Sequence, residues 1–232
     1  NFWIPFYTIF LQINPKVAFW LSLVTMLFGF GSGVIRNLYK KTINWYLVSR
    51  YLLAAIPFSF LGSYLSNKVS QKELLLTFAI FIICYGSYMI YHSRKEPKEQ
   101  EQHEKIYWLV GIIGGFLKGL IATGLGKLLL PAYINHKRIK HHSEAVGTTV
   151  MVVFLVNVIS ILGRMCESLI QEINTNKFLL ISMLIWVIPA VVIGGQFGPI
   201  IAEKLPKKYI KPYIGIILIF AGSLILMRGK MQ

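Results

Sequence analysis

The stretch KGLIATGLGKLLLPAY, residues 118–133, places lysines, glycines and a proline inside a strongly apolar region. An ionisable side chain at membrane depth is energetically expensive and is a functional candidate by default. Glycines break or bend a helix, and the helix that follows a break begins with unpaired N–H groups and partial positive charge. Because Lys127 follows TGLG, backbone donors from Thr123 to Gly126 and the Lys127 ammonium together predict a cradle for an anion.

Other polar residues in apolar segments extend this candidate site. Arg50 and Lys118 are basic residues inside apolar blocks, although each could instead extend its head group to the membrane surface. The GTT of residues 147–149 offers hydroxyl donors at the start of a helix, although small residues also permit close helix packing. The predicted substrate-binding residues are Ser22, Arg50, Lys118, Thr123, Gly124, Gly126, Lys127, Pro131, Thr148 and Thr149.

The composition predicts a membrane protein with several spans. The 232 residues are 55% hydrophobic and only 14% charged, whereas soluble domains carry roughly 25% charged residues. The net charge of +15 comes from short basic clusters between apolar blocks, which is typical of membrane-flanking loops. Nucleic-acid binding is not expected, because no nucleic-acid motif accompanies these clusters. We expect the lipid bilayer of the cell membrane and a small anion as partners, with no cofactor and no bound metal.

The apolar blocks predict an all-α polytopic fold, since many are near the roughly twenty residues that cross a bilayer. The sequence does not show the alternation of apolar and polar residues that is typical of the strands of a membrane barrel. The blocks are 2–11, 17–38, 43–65, 74–91, 106–125, the short LLLPAYI that follows, 146–162, 178–201 and 209–227. A charged segment, 93–105, divides the chain into a first repeat of residues 1–92 and a second of residues 106–232.

The two halves resemble each other weakly and in the same order, which predicts an internal duplication. Matching positions are Pro5 and Pro131, Ala18 and Ala145, Ser22 and Thr149, Gly62 and Gly198, and Gly86 and Gly222.

Loop charges predict that the repeats have opposite orientations. We assign Arg36, Lys40 and Lys41, with no acid, to the loop between the second and third blocks, and the neutral set Arg164, Glu167, Glu172 and Lys177 to its counterpart. The next pair of loops reverses this bias, with the denser basic cluster around residues 204–211. By the positive-inside rule the halves are inverted, and the charged segment is cytoplasmic.

If the halves are inverted, block 106–125 must enter the membrane and LLLPAYI must return to the same side. The two segments would then form a re-entrant hairpin with its tip at residues 123–127. Each repeat is then a re-entrant hairpin followed by three transmembrane helices, with the first hairpin truncated at the N-terminus. The alternative is two full spans, which would make the repeats parallel.

The motif GGFLKGLIATGLGKLLLP, followed by AVGTT, resembles the second-half signature of the TauE/SafE family of sulfite exporters. The segment IPFYTIFLQINPKVAFWLS is similar to the same signature without its glycine-rich part. The resemblance extends over essentially the whole chain. It departs from the family pattern at Leu125 or Lys127, where the family typically has a third glycine.

The resemblance implies export of sulfite, sulfoacetate or a related sulfur-containing anion bound near the bilayer midplane between the hairpin tips. Export of one negative charge from a negative-inside cell is favoured by about 2.3 kcal/mol per 100 mV. An anion channel, or a transporter of another small anion, is the alternative.

A membrane-embedded enzyme is a hypothesis from another class. The histidines His136, His141 and His142 could bind a metal, but neighbouring lysines repel a cation. No HExxH motif, nucleophile elbow or phosphate loop occurs in the sequence. The prediction is therefore a transporter without catalytic residues.

Overall fold

The computed structural model describes residues 3–92, 104–134, 136–204 and 207–231. Most of the charged segment predicted at 93–105 therefore lies outside the described residues. Within the described ranges the regular structure is entirely helical, as the composition predicted.

Ten α-helices and one π-helical turn follow one another along the described chain. A π-helical turn, Phe6–Phe10, directly follows the first helix. The α-helices are α1 Trp3–Pro5, α2 Pro15–Tyr39, α3 Trp45–Lys68, α4 Gln71–His92, α5 Glu104–Ile121, α6 Leu125–Ile134, α7 His142–Arg164, α8 Glu167–Thr175, α9 Lys177–Lys204 and α10 Lys207–Met231.

Five of these helices are long and apolar enough to cross a membrane: α2, α3, α4, α7 and α9. The segments Trp108–Ile121 of α5 and Pro212–Met227 of α10 are apolar but shorter. All of them coincide with apolar blocks of the sequence. Helix α8 was not predicted, because its short amphipathic sequence lies in a segment that we interpreted as a polar loop.

Asparagines fix where α2 and α3 begin. The Asn14 side chain accepts a hydrogen bond from the Lys16 N–H, and Pro15 occupies the first turn of α2. The Asn44 side chain likewise accepts from the Leu47 N–H at the start of α3. Such caps satisfy N–H groups that have no partner inside the helix, and proline is well tolerated in the first turn.

Helices α3, α5 and α7 run in the same direction. Along α3 and α5, Gly111 faces Tyr51 and Gly119 faces Ser59, so the residue numbers rise together. Along α3 and α7, the Asn44 N–H donates to Thr148 Oγ1 at one end, and the hydroxyls of Ser59 and Ser160 lie 2.8 Å apart nearer the other. The start of α5 therefore lies on the same side of the molecule as the start of α7.

The remaining long helices pack around this group. Helix α2 is antiparallel to α7 and parallel to α9, and α4 is antiparallel to α10. The contacts that establish these directions are Leu23 with Asn157, Gly33 with Val150, Gly29 with Val191, Ser32 with Gly195, Gly86 with Gly215, and Ile82 with Gly222. Each of these helix pairs joins the first half of the chain to the second, so the halves are interleaved.

The α3–α5 contact is unusually close because α5 presents glycines to α3. A Cβ on Gly115 would lie 2.6 Å from the Ala55 carbonyl oxygen, and a Cβ on Gly119 would overlap the Ser59 carbonyl. Small residues allow helix backbones to approach in this way, which strengthens dispersion contacts between helices in a membrane.

Candidate functional site

The turn between α5 and α6 interrupts the helical chain in the middle of the bundle. Helix α5 ends at Ile121 and α6 begins at Leu125. Ala122 has φ of 55° and Gly124 has φ of 104°. A positive φ suits glycine but is uncommon for alanine, so the surrounding packing must hold Ala122 in place. Residues 121–125 are all buried, so the helix break is enclosed by protein.

Arg164 is buried beside this break. Its guanidinium Nη2 donates to the carbonyls of Gly119 and Leu120, both at 2.7 Å, near the end of α5. Its Cζ lies 5.5 Å from the centre of the Phe19 ring. Carbonyls in the last turn of a helix lack intrahelical donors, and here the Arg164 guanidinium from α7 provides the missing donors.

Arg164 corrects one sequence-based assignment. We expected it in a polar loop together with Glu167 and Glu172, but it is the last residue of α7 and only 2% exposed. The two glutamates lie on α8. The apolar block ended two residues before Arg164, so hydropathy alone placed the arginine outside the membrane.

Lys118 is the second buried cation near the break. It is 2% exposed, and its Nζ lies 3.4 Å from the Ala122 carbonyl oxygen and 3.6 Å from the Met26 sulfur. Arg164 donates to the carbonyls of the two residues that follow Lys118 in the chain, so the two basic residues are neighbours. Within the described part of the chain, no carboxylate pairs with either cation. Two buried basic side chains therefore lie beside the break with no acidic partner among the described groups.

A cavity of about 520 Å³ lies between α2, α7 and α9. Its lining is mostly apolar, with Arg36 and Asn37 near the end of α2. The lining residues are Trp3, Met26, Gly29, Phe30, Gly33, Arg36, Asn37, Val146, Val150, Ala190, Val191, Gly194 and Gly195. A volume of this size is within the range of small-molecule sites.

Met26 connects this cavity with the helix break. Its side chain lines the cavity, packs in the apolar cluster that contains Ile121 and Ala122, and contacts Lys118 Nζ. The Met26 side chain therefore lies between the open space and the buried lysine.

Reciprocal hydrogen bonds join α2 to α9 near the Arg36 end of the cavity. Arg36 Nη1 donates to the Gln196 carbonyl at 3.3 Å, and Gln196 Nε2 donates to the Ser32 carbonyl at 2.8 Å. Neither Arg36 nor Gln196 was a candidate from the sequence, and Arg36 was assigned to a loop.

The predicted hydroxyl donors are not all at the break. Thr148 Oγ1 accepts from the Asn44 N–H, and Thr149 Oγ1 donates to the Ala145 carbonyl, so both lie in the first turns of α7. Ser22 is completely buried in α2, and its hydroxyl has no hydrogen-bond partner within the described structure. Thr123, in contrast, lies in the turn itself and is 5% exposed.

The other predicted site residues divide between the break and the surface. Gly124 and Gly126 lie at the start of α6, where a Cβ on Gly126 would contact Val153 of α7. Lys127 is in the first turn of α6, but its side chain lies outside what the structure describes. Pro131 is in α6 and exposed. Arg50 lies elsewhere, in a crevice between α3 and α5 that shares no lining residue with the cavity.

Two buried tyrosines were missed, although the sequence contains a signal for them. Tyr7 and Tyr133 each follow a proline by two positions, at Pro5 and Pro131, which the repeat alignment already pairs. Both are fully buried. The Tyr7 hydroxyl is 2.8 Å from Thr25 Oγ1 in α2, which ties the N-terminal segment to a helix that lines the cavity.

Among the described residues, no three His, Cys, Asp or Glu side chains form a group that could hold a metal ion. The Nδ1 atom of the loop residue His136 accepts a hydrogen bond from the Arg138 N–H.

The family model for the sulfite exporter TauE/SafE matches residues 2–225. This chain belongs to the TauE/SafE family. The match includes the helix break, both buried cations and the cavity lining.

Curated relatives of this TauE/SafE chain are named as probable membrane transporters. It is 22% identical to YunE of Bacillus subtilis over 95% of this chain and 84% of the relative. It is 25% identical to MJ0441 of Methanocaldococcus jannaschii over 91% of this chain and 79% of the relative. It is 28% identical to YjnA of Bacillus subtilis over 82% of this chain and 79% of the relative. No solved structure matches significantly.

Proposed function

We propose that this protein exports a small sulfur-containing anion, such as sulfite or an organosulfonate like sulfoacetate, across the cell membrane. The observation that carries the proposal is the buried pair Lys118 and Arg164 beside a broken helix, with no described carboxylate to neutralise it. A buried charge without an ionic partner is unfavourable, and an anion entering this region would relieve that penalty.

Donors remain for such an anion. Arg164 Nε has no hydrogen-bond partner among the described groups, and the lysine ammonium has three donors. The first N–H groups of α6 lack partners inside the helix and lie at its positive end. We therefore keep Lys127, Thr123, Gly124 and Gly126 in the proposed site, together with Lys118.

We propose that the 520 Å³ cavity is the access route on one side of the membrane. Its apolar lining with Arg36 near one end would let an anion approach Met26, and displacement of the Met26 side chain would admit it to Lys118. Thr149 and Ser22 occupy matching positions in the two halves and are proposed to face the anion in other states of the transport cycle. Pro131 and Thr148 are proposed to support the hairpin and the start of α7.

The inverted repeat and the re-entrant hairpin belong to the same proposal. Helices α2 and α7 are counterparts in the two halves and run antiparallel, as inversion requires. Helices α5 and α7 both run parallel to α3, so α6 must return to the side on which α5 began. These directions support a hairpin with its tip at residues 122–124.

The transport proposal is tested with purified protein in liposomes. At equal pH on both sides, an imposed membrane potential should drive flux of sulfite or sulfoacetate, because no acid or histidine within the apolar blocks is available to carry a proton. Lys118→Gln should reduce this flux, whereas the matched control Lys40→Gln, which removes an exposed loop cation, should not. Flux that responds only to a pH gradient would refute the potential-driven export.

The orientation proposal is tested by labelling single cysteines in intact cells, in a background with Cys84 and Cys166 replaced by serine. Cysteines at positions 40 and 207 should be protected from an impermeant reagent, and one at position 172 should react. Opposite accessibility of positions 40 and 207 would end the inverted-repeat arrangement.

A further inference from the structure

A crevice between α3 and α5, distinct from the cavity, combines cations with exposed aromatic rings. It is lined by Tyr46, Leu47, Arg50, Tyr51, Ala54, Trp108, His136 and Arg138. None of these described lining residues is acidic. The crevice lies at the end of the bundle where α3 and α7 begin, beside the loop that follows α6.

Tyr46 organises the two arginines of this crevice. Arg138 Cζ lies 4.1 Å from the centre of the Tyr46 ring, and Arg50 Nη1 donates to the Tyr46 hydroxyl at 2.7 Å. The Arg138 backbone is also held, because its N–H donates to His136 Nδ1 and its carbonyl accepts from Asn44 Nδ2. The loop arginine is thus fixed above the ring.

The position of the crevice along the helices is the one expected for a membrane surface. Arg50 is in the second turn of α3, and Trp45, Tyr46 and Trp108 are 56%, 45% and 41% exposed. Tryptophan and tyrosine concentrate where hydrocarbon meets the lipid head groups. Past Arg50 along α3 the crevice is lined by Tyr51 and Ala54, so the cations at one end give way to an aromatic ring and an apolar side chain at the other.

This arrangement matches an amphiphile with an anionic head. A planar guanidinium binds phosphate through paired hydrogen bonds, and basic pockets between transmembrane helices are suited to anionic lipid head groups. A free inorganic anion would use the arginines but gain nothing from the apolar end. We propose that Arg50 and Arg138 bind the phosphate of an anionic phospholipid, whose acyl chains lie along α3 and α5.

This proposal gives Arg50 a ligand other than the transported anion. It is independent of the proposed function, because the crevice and the transport cavity have no lining residue in common. A failure of one therefore leaves the other unaffected.

The test is a titration of the delipidated full chain with phosphatidylglycerol or phosphatidylcholine, followed by native mass spectrometry and by thermal unfolding. We expect one phosphatidylglycerol to bind at least about tenfold more tightly than phosphatidylcholine and to raise the melting temperature. Arg138→Gln and Arg50→Gln should each weaken phosphatidylglycerol binding about tenfold, the lower end for a charge-assisted hydrogen bond.

Matched variants define the outcomes. Lys40→Gln removes an exposed cation from the same end of the molecule but outside the crevice, and should leave the lipid preference intact. Arg138 is exposed in a loop, so its variant tests the site even if Arg50→Gln fails to fold. Equal binding of the two lipids, an unchanged preference in Arg138→Gln, or an equal loss in Lys40→Gln would overturn the proposal. Inorganic phosphate that displaces the lipid at millimolar concentration would assign the crevice to a soluble anion instead.

Discussion

Two pairs of cations in this protein differ in what holds them. Lys118 and Arg164 are buried and bond to backbone carbonyls at a broken helix. Arg50 and Arg138 flank an aromatic ring near the bundle's end. Backbone carbonyls at a helix end are part of the fold, whereas a ring at the membrane surface leaves a guanidinium accessible. The comparison indicates that burial and hydrogen-bond partner, rather than charge alone, distinguish the proposed transport site from the proposed lipid site.

The largest effect is expected from Arg164→Gln. Gln is too short to reach both carbonyls from the same position, so buried acceptors at the end of α5 would lose partners, each at a cost of about 1–3 kcal/mol. We expect a clearly lower free energy of unfolding, measured by chemical denaturation in detergent, and loss of anion flux in liposomes.

The matched variant Arg164→Lys keeps the charge but not the fork of donors, and should recover only part of both properties. Wild-type stability and flux in Arg164→Gln would remove the distinction between the two pairs, because the buried cation would then be dispensable.

Lys127→Ala is expected to have the next largest effect. If the ammonium contacts the anion beside the first N–H groups of α6, its loss removes a charge-assisted hydrogen bond worth about 1.5–3 kcal/mol, or roughly ten- to hundredfold in affinity. Binding to purified, monodisperse protein measures the change, and folding should be retained. Lys127→Arg should be impaired less than Lys127→Ala. Unaltered affinity in the alanine variant would remove Lys127 from the site.

Lys118→Met sharpens the comparison further. Methionine fills a similar volume without a charge, and replacing a buried charge with an apolar group is often neutral or stabilising. We expect a melting temperature equal to or above that of the wild type, together with about tenfold weaker anion binding. Since the Lys118 ammonium already contacts Ala122 and Met26, its effect should be smaller than that of Lys127. Stability and affinity that both fall together would indicate a structural role alone.

The smallest effect is expected from Arg138→Gln on transport. With phosphatidylglycerol in excess, anion affinity should change by less than about twofold, because Arg138 is exposed and solvent and salt screen the effect of an exposed charge at a distance. Flux assays in liposomes of fixed lipid composition measure this. A loss as large as that of Lys118→Met would mean that the two pairs act in a single pathway.

The sequence predicted the helices well because membrane-spanning segments are defined by length and hydropathy. The helix break could likewise be predicted, since glycines interrupt a helix in an apolar block. The anion site around that break stays a prediction. Arg164 was assigned wrongly because its burial depends on the end of α5 lying beside α7, a contact between residues about 45 positions apart. The cavity depends in the same way on the packing of α2 against α7 and α9, which no single segment encodes.

The close contact of α5 glycines with α3 has a mechanical consequence. Because a Cβ at Gly115 or Gly119 would collide with the α3 backbone, little room exists for these helices to slide past each other. Yet α3 comes from the first half of the chain and α5 from the second. A transport cycle in which one half rotates as a rigid body against the other would disrupt the close contact between α3 and α5. For the proposed transport cycle we therefore expect the moving parts to be divided differently, with α3, α5 and α7 moving as one unit and α9, whose described contacts are mainly with α2, changing position relative to them.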